Sequence, residues 1–328
     1  MTLHIFNPSH DEALGFGSPY YVPTKAAQRL ASERCVLPKL WAKAGDVVMI
    51  TDDLERPESS NGVRFIYKRE LTPSLIQQIT KIEPWGWNAY LRHSLRRCGV
   101  PDRLLPTDEE LENRRRLSSR ETAVLLLKQL INLNSSYAGQ SEWCTSIEAA
   151  WDVVKNYGTA MVKSPWSSSG RGVFRVETED NVIPAHQRMA NILRQFGGIA
   201  VERYYERLQD FALEFYATQE GHISFAGISV FNTSVGGNYL GNVDGTQDEL
   251  RALLGTYVAI EEIDQSCQHL QACLANVLDG KYVGPLGVDM MIVRDEGVVR
   301  LHPCVEINLR NTMGHVQLLL SQQTKGSC

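Results

Sequence analysis

Short apolar runs alternate with helical patterns in the first third of the chain. Leu3 to Phe6 and Asp46 to Ile50 have the length and composition of buried strands. Lys25 to Arg34 and Ser74 to Lys81 have helical periodicity instead, and the alternation predicts a small α/β domain. Between Pro101 and Arg116 the chain becomes rich in Pro, Asp, Glu and Arg, which is typical of a solvated connector and predicts a domain boundary.

Helical and strand patterns continue beyond the connector. Ser118 or Ser119 can cap a helix whose apolar residues share one face. Thr159 to Lys163 and Val173 to Val176 predict a hairpin with a polar tip. Helices are also predicted at Ser146 to Asn156, Ala185 to Phe196, Gln247 to Tyr257 and Ser266 to Leu278, strands at Gly198 to Tyr205, Phe211 to Thr218, Leu286 to Val293 and Val298 to Arg310, and a loop at Ser234 to Gly245.

Composition and charge exclude several classes of protein. The 328 residues suffice for two or three domains at roughly 100 to 200 residues each. Hydrophobic residues make up 43% and charged residues 22%, which is ordinary for a folded soluble protein and excludes wholesale disorder. The net charge of −5 gives no general attraction to nucleic acid or to an anionic membrane, so any anion site must be local.

The cellular compartment is predicted from what the sequence lacks. Its first 17 residues have neither the basic start nor the apolar core of a signal peptide, and no uncharged apolar stretch approaches the ~20 residues that cross a bilayer. The 7 cysteines are scattered without a CxxC pair, which indicates neither a disulfide framework nor a zinc site. We therefore expect reduced thiols and a cytoplasmic location.

The strongest candidate chemistry lies in the last predicted strand. Alternation with a period of two places Glu306, Asn308 and Arg310 on one face of it. An adjacent antiparallel strand can bring Asp289, the single acid in an apolar run, beside Glu306. Two carboxylates on one partly buried surface require a cation, and Mg²⁺ prefers oxygen ligands of this kind. Because alternation is common in half-buried strands, a plain polar sheet face is the competing interpretation.

A second candidate site follows the predicted strand that ends at Lys163. Ser and Gly dominate the segment Ser167 to Gly172, where hydroxyl and backbone N–H groups can surround phosphate oxygens. The ending of a Walker A loop is absent, and Gly15-Phe16-Gly17 lacks the third Gly of a dinucleotide fingerprint. The segment indicates a phosphate lid or, equally well, a hairpin tip with a solvated lysine.

A third segment changes from apolar to polar and aromatic. Glu202, Arg203 and Tyr205 end a predicted strand, and Asp210 follows shortly after them. Such a segment can offer backbone groups to an adenine edge, an aromatic wall, and a carboxylate for ribose hydroxyls. Solvated charges at a strand end are the ordinary interpretation of the same residues.

Taken in order, these segments resemble the ATP-grasp superfamily. The resemblance rests on a lysine-ended strand with a Ser/Gly segment, a Val-Glu hinge, an acid shortly after it, and a strand Asp followed by a Glu-x-Asn strand. It covers roughly the last two-thirds of the chain, from about Ser118 onward. The order and spacing of the pieces are much more specific than any one of them.

The resemblance implies roles for individual residues. ATP phosphates are expected at the positions that match the family's lysine and flexible segment: Lys163, Ser167, Ser168, Ser169 and Gly170. Adenine and ribose are expected at the hinge and at the acid after it: Glu202, Arg203, Tyr205 and Asp210. Two Mg²⁺ ions are expected at Asp289, Glu306 and Asn308, with Arg310 steadying the acyl phosphate or the acceptor.

Two positions depart from the family pattern. Near the start of the helix after the connector, the family usually has a lysine that contacts the nucleotide. This chain has Arg120 there, a permanent cation with different hydrogen-bond geometry. Two residues before the metal-binding Asp, where the family often has an arginine, this chain has Gly287. Arg310 or Arg171 is then expected to act on the transition state.

The resemblance also implies a fold and an activity. An α/β fold is expected, with a Rossmann-like pre-ATP-grasp domain (residues 1–105) before a two-lobed ATP-grasp domain. Its phosphate segment falls in lobe 106–197 and its metal site in lobe 198–328. The implied enzyme is a ligase that uses ATP and Mg²⁺ to join a small carboxylate, through an acyl phosphate, to an amine or thiol. A phosphotransferase of the same fold and a non-catalytic ATP-binding module are the alternatives.

The implied partners are small molecules, with no nucleic acid and no membrane, and a homodimer is one possible assembly. The acceptor has no legible signature in the sequence. Asn7 to Glu12 follow the first predicted strand, and loops at the carboxyl end of a strand are where α/β domains bind ligands. In that loop His10 can orient an acceptor, or it can equally cap the next helix.

Overall fold

Three β-sheets organise the chain. This computed structural model describes residues 1–59, 61–167, 172–178, 182–234 and 239–325. The strands are β1 (Thr2–Ile5), β2 (Val47–Ile50), β3 (Arg64–Tyr67), β4 (Lys81–Pro84), β5 (Ser141–Cys144), β6 (Thr159–Lys163), β7 (Val173–Glu177), β8 (Ile199–Arg203), β9 (Glu206–Ala217), β10 (Ile223–Thr233), β11 (Tyr239–Asn242), β12 (Gly284–Asp295) and β13 (Val298–Asn308). The helices are α1 (His10–Phe16), α2 (Lys25–Arg34), α3 (Pro73–Gln78), α4 (Ala89–Arg96), α5 (Asp108–Leu117), α6 (Arg120–Leu133), α7 (Ile147–Tyr157), α8 (Val182–Phe196), α9 (Gln247–Gly255), α10 (Ile260–Leu278) and α11 (Met313–Lys325).

The first sheet is parallel, with strand order β3-β2-β1-β4. Adjacent residues of β2, Val47 and Val48, are fully buried in two different apolar clusters, so both faces of this sheet are covered. Burial on both faces explains why its strands are short continuous apolar runs rather than alternating ones. The loops after β1 and β4 leave the same edge of the sheet, because these two strands are parallel neighbours.

The second sheet is antiparallel and has one apolar face. Its order is β11-β10-β9-β12-β13. Phe211, Leu213 and Phe215 of β9 are fully buried in the largest apolar cluster, which also contains residues of α6, α9 and α10. Because side chains alternate along a strand, the residues between them lie on the opposite, polar face. That face carries the candidate metal ligands.

The third sheet is smaller and has the order β5-β8-β6-β7. The β6–β7 pair is antiparallel, with Lys163 opposite Val173, which confirms the predicted hairpin. Helix α6 lies next to this sheet and begins at Arg120, with Ser119 as its N-cap, as predicted. Its apolar residues enter the same cluster as β9, so α6 positions the third sheet relative to the second.

The structure confirms the α/β fold and corrects several predicted elements. Residues 108–117 of the predicted connector form α5, which a Thr107/Glu110 capping box begins and two buried leucines hold against the core. The sequence analysis missed this helix because its apolar residues form only a narrow stripe among many charged ones. Lys81 starts β4 rather than ending a helix, β10 had no predicted counterpart, and β11 lies inside the predicted loop at 234–245.

No helix in the described part of the chain is long and apolar enough to cross a bilayer.

Asp46 fixes the start of the first sheet. Its carboxylate accepts hydrogen bonds from the backbone N–H groups of Thr2 (2.7 Å) and Lys43 (3.0 Å) and lies 3.2 Å from Nε2 of His4. Burial acts to raise the pKa of Asp46, but these hydrogen bonds outweigh it and lower the pKa to about 2.

Replacing Asp46 with Ala is expected to lower the free energy of unfolding by about 1–3 kcal/mol, because two backbone donors lose their acceptor. The folded-state pKa is below the ordinary 3.8, so this stabilisation is present above pH 3.8 and is lost as the pH falls towards 2. Urea denaturation at pH 7 and at pH 2.5 measures both effects. The exposed Glu58→Ala is the control, with an expected change within about 0.5 kcal/mol. An Asp46→Ala deficit of equal size at both pH values would contradict the assignment.

Candidate functional site

Acidic side chains gather on the polar face of the second sheet. Asp289 of β12 lies directly opposite Glu306 of β13, as the alternation predicted. In the next row Gly287 lies between Asn308 of β13 and Glu214 of β9. Residues that face each other across a sheet point to the same side, so three carboxyl groups and one amide share this surface.

The carboxyl groups on this face repel one another. Burial raises the pKa of Asp289 to about 8, and the negative charges of Glu306 and then Glu214 add to the effect. Arg310 and the hydrogen bond with Asn308 act in the opposite direction without cancelling it. The face therefore favours a bound cation.

The donor set suits Mg²⁺. Asp289, Glu306 and Asn308 offer only oxygen ligands, which this hard cation prefers. Within the described ranges no group of three or more His, Cys, Asp or Glu side chains is arranged to hold a metal ion alone. Mg²⁺ typically uses one or two protein carboxylates and takes its remaining ligands from water and substrate phosphates, which is what two acids and one amide allow.

Glu214 is a buried acid to which the sequence analysis gave no role. Its side chain is 1% exposed and accepts hydrogen bonds from Ser229 Oγ (3.0 Å) and Thr312 Oγ1 (2.8 Å). The Nδ1 atom of His315 lies 3.1 Å from the carboxylate. A single acid in an otherwise apolar strand identified Asp289, and the same criterion applied to the predicted strand Phe211 to Thr218 would have found Glu214.

Glu214 also explains the departure at Gly287. A Cβ atom on Gly287 would lie 2.6 Å from Oε2 of Glu214, closer than real contacts allow. A Cβ on Gly314 would clash with Oε1 of the same carboxylate. An arginine at position 287 is therefore incompatible with this placement of Glu214.

Arg120 joins the metal face to the start of the candidate phosphate segment. The Arg120 side chain is buried, and its Nε donates to the Ser164 carbonyl oxygen at 3.0 Å. Its Nη2 donates to Ser167 Oγ at 2.8 Å and to Glu306 Oε2 at 3.1 Å. The Arg120 guanidinium thus contacts both Glu306 of the metal face and Ser167 of the phosphate segment. The predicted phosphate ligands Ser168, Ser169 and Gly170, and Arg171 with them, lie outside the described residues.

The candidate lysine is paired on the third sheet. Lys163 forms an ion pair with Glu202, and both side chains are about nine-tenths buried. The positive charge of Lys163 also acts on Asp210 of the second sheet, whose pKa burial raises. The structure thus brings together Lys163, Glu202 and Asp210, which the sequence analysis had assigned to the nucleotide.

The other predicted hinge residues have different surroundings. Arg203 uses its backbone N–H for Gln140 O (2.9 Å) and its guanidinium for Asp295 and Glu296, each at 3.2 Å. Tyr205 is buried, with its ring centroid 5.9 Å from that of His302. Burial, and less strongly the charge of Lys163, lower the pKa of His302 to about 4, so the side chain beside Tyr205 is neutral.

Arg310 connects the second sheet to the first. Its Nε and Nη2 donate to the carboxylate of Asp11 at 2.9–3.1 Å. Its Nη2 also donates to Oδ1 of Asn308 at 2.8 Å. The next residue, Asn311, donates its backbone N–H to Trp85 O in the loop after β4. The loops at the carboxyl edge of the first sheet therefore border the metal face.

Comparison with solved structures decides the fold. The chain is similar to biotin carboxylase from Campylobacter jejuni in a β,γ-ATP complex, with a TM-score of 0.56 over 97% of this chain and 67% of that one, at 14% identity. A biotin carboxylase domain dimer of 2-oxoglutarate carboxylase from Hydrogenobacter thermophilus, in complex with MgADP, ADP and bicarbonate, gives 0.54 over 97% and 68%, at 13% identity. D-cycloserine synthetase gives 0.50 over 99% of both chains, at 11% identity.

This chain has the ATP-grasp fold. No protein-family model matches it, and no curated protein matches it by sequence. The predicted ATP-grasp resemblance is therefore confirmed through three-dimensional similarity at 11–14% identity. In this ATP-grasp fold, the roles of the individual site residues stay predictions.

Replacing Arg120 with Met is expected to lower the free energy of unfolding by about 1–3 kcal/mol, because Glu306 and the Ser164 carbonyl lose a charged donor. Lys128→Met is the matched control on the same helix, since the Lys128–Glu142 ion pair is exposed and worth about 0–1 kcal/mol. Urea denaturation of both variants makes the comparison. Equal losses would show that the Arg120 contacts do not hold the two parts together.

Proposed function

We propose that this chain is an ATP-dependent ligase. It phosphorylates a small carboxylate and joins the resulting acyl group to an amine or a thiol, releasing ADP and phosphate. The observation that supports this most strongly is the face shared by Asp289, Glu306 and Asn308, linked through Arg120 to the segment after Lys163. Solved structures with the same fold were obtained in a β,γ-ATP complex and with MgADP, which supports ATP and Mg²⁺ as the cofactors.

Different residues of the chain are assigned to different parts of the nucleotide. Lys163 and Ser167 are assigned to the phosphates, with Arg120 holding Ser167 in place. Glu202 and Asp210 are assigned to the adenosine end, together with the buried Tyr205. The Arg203 guanidinium pairs with two acids and is therefore not assigned to the nucleotide. Only the backbone of Arg203 is assigned to the adenosine end.

Asp289, Glu306 and Asn308 are assigned to Mg²⁺. When bound, Mg²⁺ supplies positive charge against the phosphate oxygens. Asp289 and Glu306 would hold it on the sheet face, and Glu214 on the neighbouring strand β9 adds to the negative potential that favours a cation there. A bound cation offsets the repulsion between the adjacent carboxylates, and this favours its binding.

The reaction has two displacements. An oxygen of the substrate carboxylate attacks the γ-phosphorus, so that the bond to ADP breaks. The amine or thiol then attacks the acyl carbon, and phosphate leaves. Lys163 and Arg310 are assigned to offset negative charge at the phosphoryl group and the acyl phosphate. Exclusion of water is required because water would hydrolyse the acyl phosphate.

The proposal keeps three structural units: residues 1–105 for the acceptor side, 106–197 for the phosphates and 198–328 for the metal. The contact of Arg310 with Asp11 supports a role for the first unit in the reaction, since it connects α1 to the metal face. The acceptor is expected where the loops after β1 and β4 approach Arg310.

A screen of small carboxylates with amines and thiols, in the presence of ATP and Mg²⁺, tests the proposal through ADP release. Glu306→Ala is expected to lower ADP formation at least about 100-fold while the circular dichroism spectrum stays unchanged, because one of two acids that hold Mg²⁺ is lost. Glu142→Ala, at a half-exposed acid that pairs with Lys128 away from the metal face, is the control and is expected to turn over normally.

The products separate the alternatives. Free phosphate with a new amide or thioester supports the ligase, whereas a phosphorylated acceptor identifies a phosphotransferase. Tight ATP binding, seen as a thermal shift, without ADP formation across the whole screen identifies a binding module. Normal turnover by Glu306→Ala would refute the metal assignment.

A further inference from the structure

Arg310 lies among three acids that come from different elements: Asp11 in α1, Asp289 in β12 and Glu306 in β13. Burial acts to lower the pKa of Arg310, but the negative charges of these acids and the hydrogen bonds to Asp11 outweigh it and raise the pKa. Among the described residues, the acid within ion-pair distance of Arg310 is Asp11, at 2.9 Å from Nη2. The other two acids belong to the metal face.

Asp11 contacts Arg310 at two points. Its carboxylate accepts from Nε at 3.0 and 3.1 Å as well as from Nη2, and these two nitrogens form one edge of the planar guanidinium. A contact of this kind fixes both the plane and the rotation of the group. Burial acts to raise the pKa of Asp11, but the charge of Arg310 outweighs it and, with smaller contributions from His10 and Arg120, lowers the pKa. Asp11 is therefore a carboxylate at neutral pH.

The remaining contacts of Arg310 place it next to a predicted metal ligand. Its Nη2 donates to Oδ1 of Asn308 at 2.8 Å, and its Nη1 donates to the Asn311 carbonyl oxygen at 3.1 Å. Because a guanidinium only donates, the atom of Asn308 beside Arg310 is the amide oxygen rather than the nitrogen. That oxygen is the one assigned to Mg²⁺. The position of Arg310 therefore decides how strongly its positive charge opposes a cation in the site.

The metal face offers Arg310 an alternative position. Asn308 and the Asp289–Glu306 pair occupy neighbouring rows of the same face of the sheet. If the charge of Asp11 is removed, the acids that still attract Arg310 are Asp289 and Glu306. A guanidinium drawn onto these carboxylates occupies the groups that a cation needs, and it repels the cation as well. Asp11 thus opposes a competition between Arg310 and the metal.

We propose that Asp11 is a positioning residue that holds Arg310 at the border of the metal face and so keeps Asp289 and Glu306 available to Mg²⁺. The inference rests on the proposed function for the identity of the cation. In this role Asp11 touches neither the cation nor the nucleotide and acts through Arg310 alone. The first unit, to which Asp11 belongs, then contributes to metal binding as well as to the acceptor side.

The affinity for ADP, measured by isothermal titration once with Mg²⁺ and once with EDTA, tests this role. The ratio of the two affinities gives the contribution of Mg²⁺. Asp11→Asn is expected to lower the ratio at least about fivefold, while the affinity in EDTA stays within about twofold of the wild type. Asp102→Asn is the matched control, because it removes the acid of an exposed Asp–Arg pair in the same unit, with Arg96 as partner. Its ratio is expected to equal that of the wild type.

Arg310→Met separates an effect through Arg310 from any other effect of Asp11. The single variant is expected to raise the ratio, because it removes a positive charge beside the metal face. Adding Asp11→Asn to it is expected to change the ratio less than about twofold. An equal loss from Asp11→Asn in both backgrounds, or no loss in either, would overturn the positioning role. So would an equal fall of both affinities, which indicates a structural role.

A second set of variants covers a failure to fold. Asp11→Glu replaces Asp11→Asn, because its additional methylene pushes the guanidinium towards the metal face while the charge is retained. A ratio at least about twofold lower then supports the role, and an unchanged ratio overturns it. Arg310→Gln replaces Arg310→Met in the same way. Wild-type protein that gains no ADP affinity from Mg²⁺ would refute the proposed function, whereas a wild-type gain that Asp11→Asn retains refutes the positioning role alone.

Discussion

The crowding of carboxyl groups on one face of the second sheet is the constraint to which the rest of the site responds. Asp289, Glu306 and Glu214 lie within two rows of the same three strands. Burial, and after it the negative charges of Glu306 and Glu214, raises the pKa of Asp289 to about 8. Such a face is unfavourable without nearby positive charge. Each part of the molecule that reaches this face brings a donor or a cation to it.

Two arginines supply much of that charge, and each of them also connects separate parts of the fold. Arg120 links Glu306 to the segment that follows the third sheet, while Arg310 links Asn308 to Asp11 of α1. An ion pair in a partly buried place adds little net stability by itself, but it specifies geometry because its partners are costly to separate. The same contacts that offset the acids therefore also align the three sheets.

Local patterns predicted the elements whose physics is local. The hairpin around Lys163, the Ser119 cap of α6 and the pairing of Asp289 with Glu306 follow from alternation and from capping, which depend on residues close in sequence. Elements with weak local patterns were missed. In α5 only two leucines are buried among many charges, and β11 is a short exposed edge strand, so tertiary contacts rather than periodicity define them.

By itself, the sequence determined the α/β class, the order of the candidate nucleotide and metal segments, and the identity of the acids on the last two strands. Only the tertiary structure decided which charges meet. Asp11 and Arg310 are 299 positions apart, and Arg120 and Glu306 are 186 apart, so no spacing rule connects them. The role of Glu214 and the reason for Gly287 likewise depend on neighbours brought together by strand pairing and helix packing, which act across the whole chain.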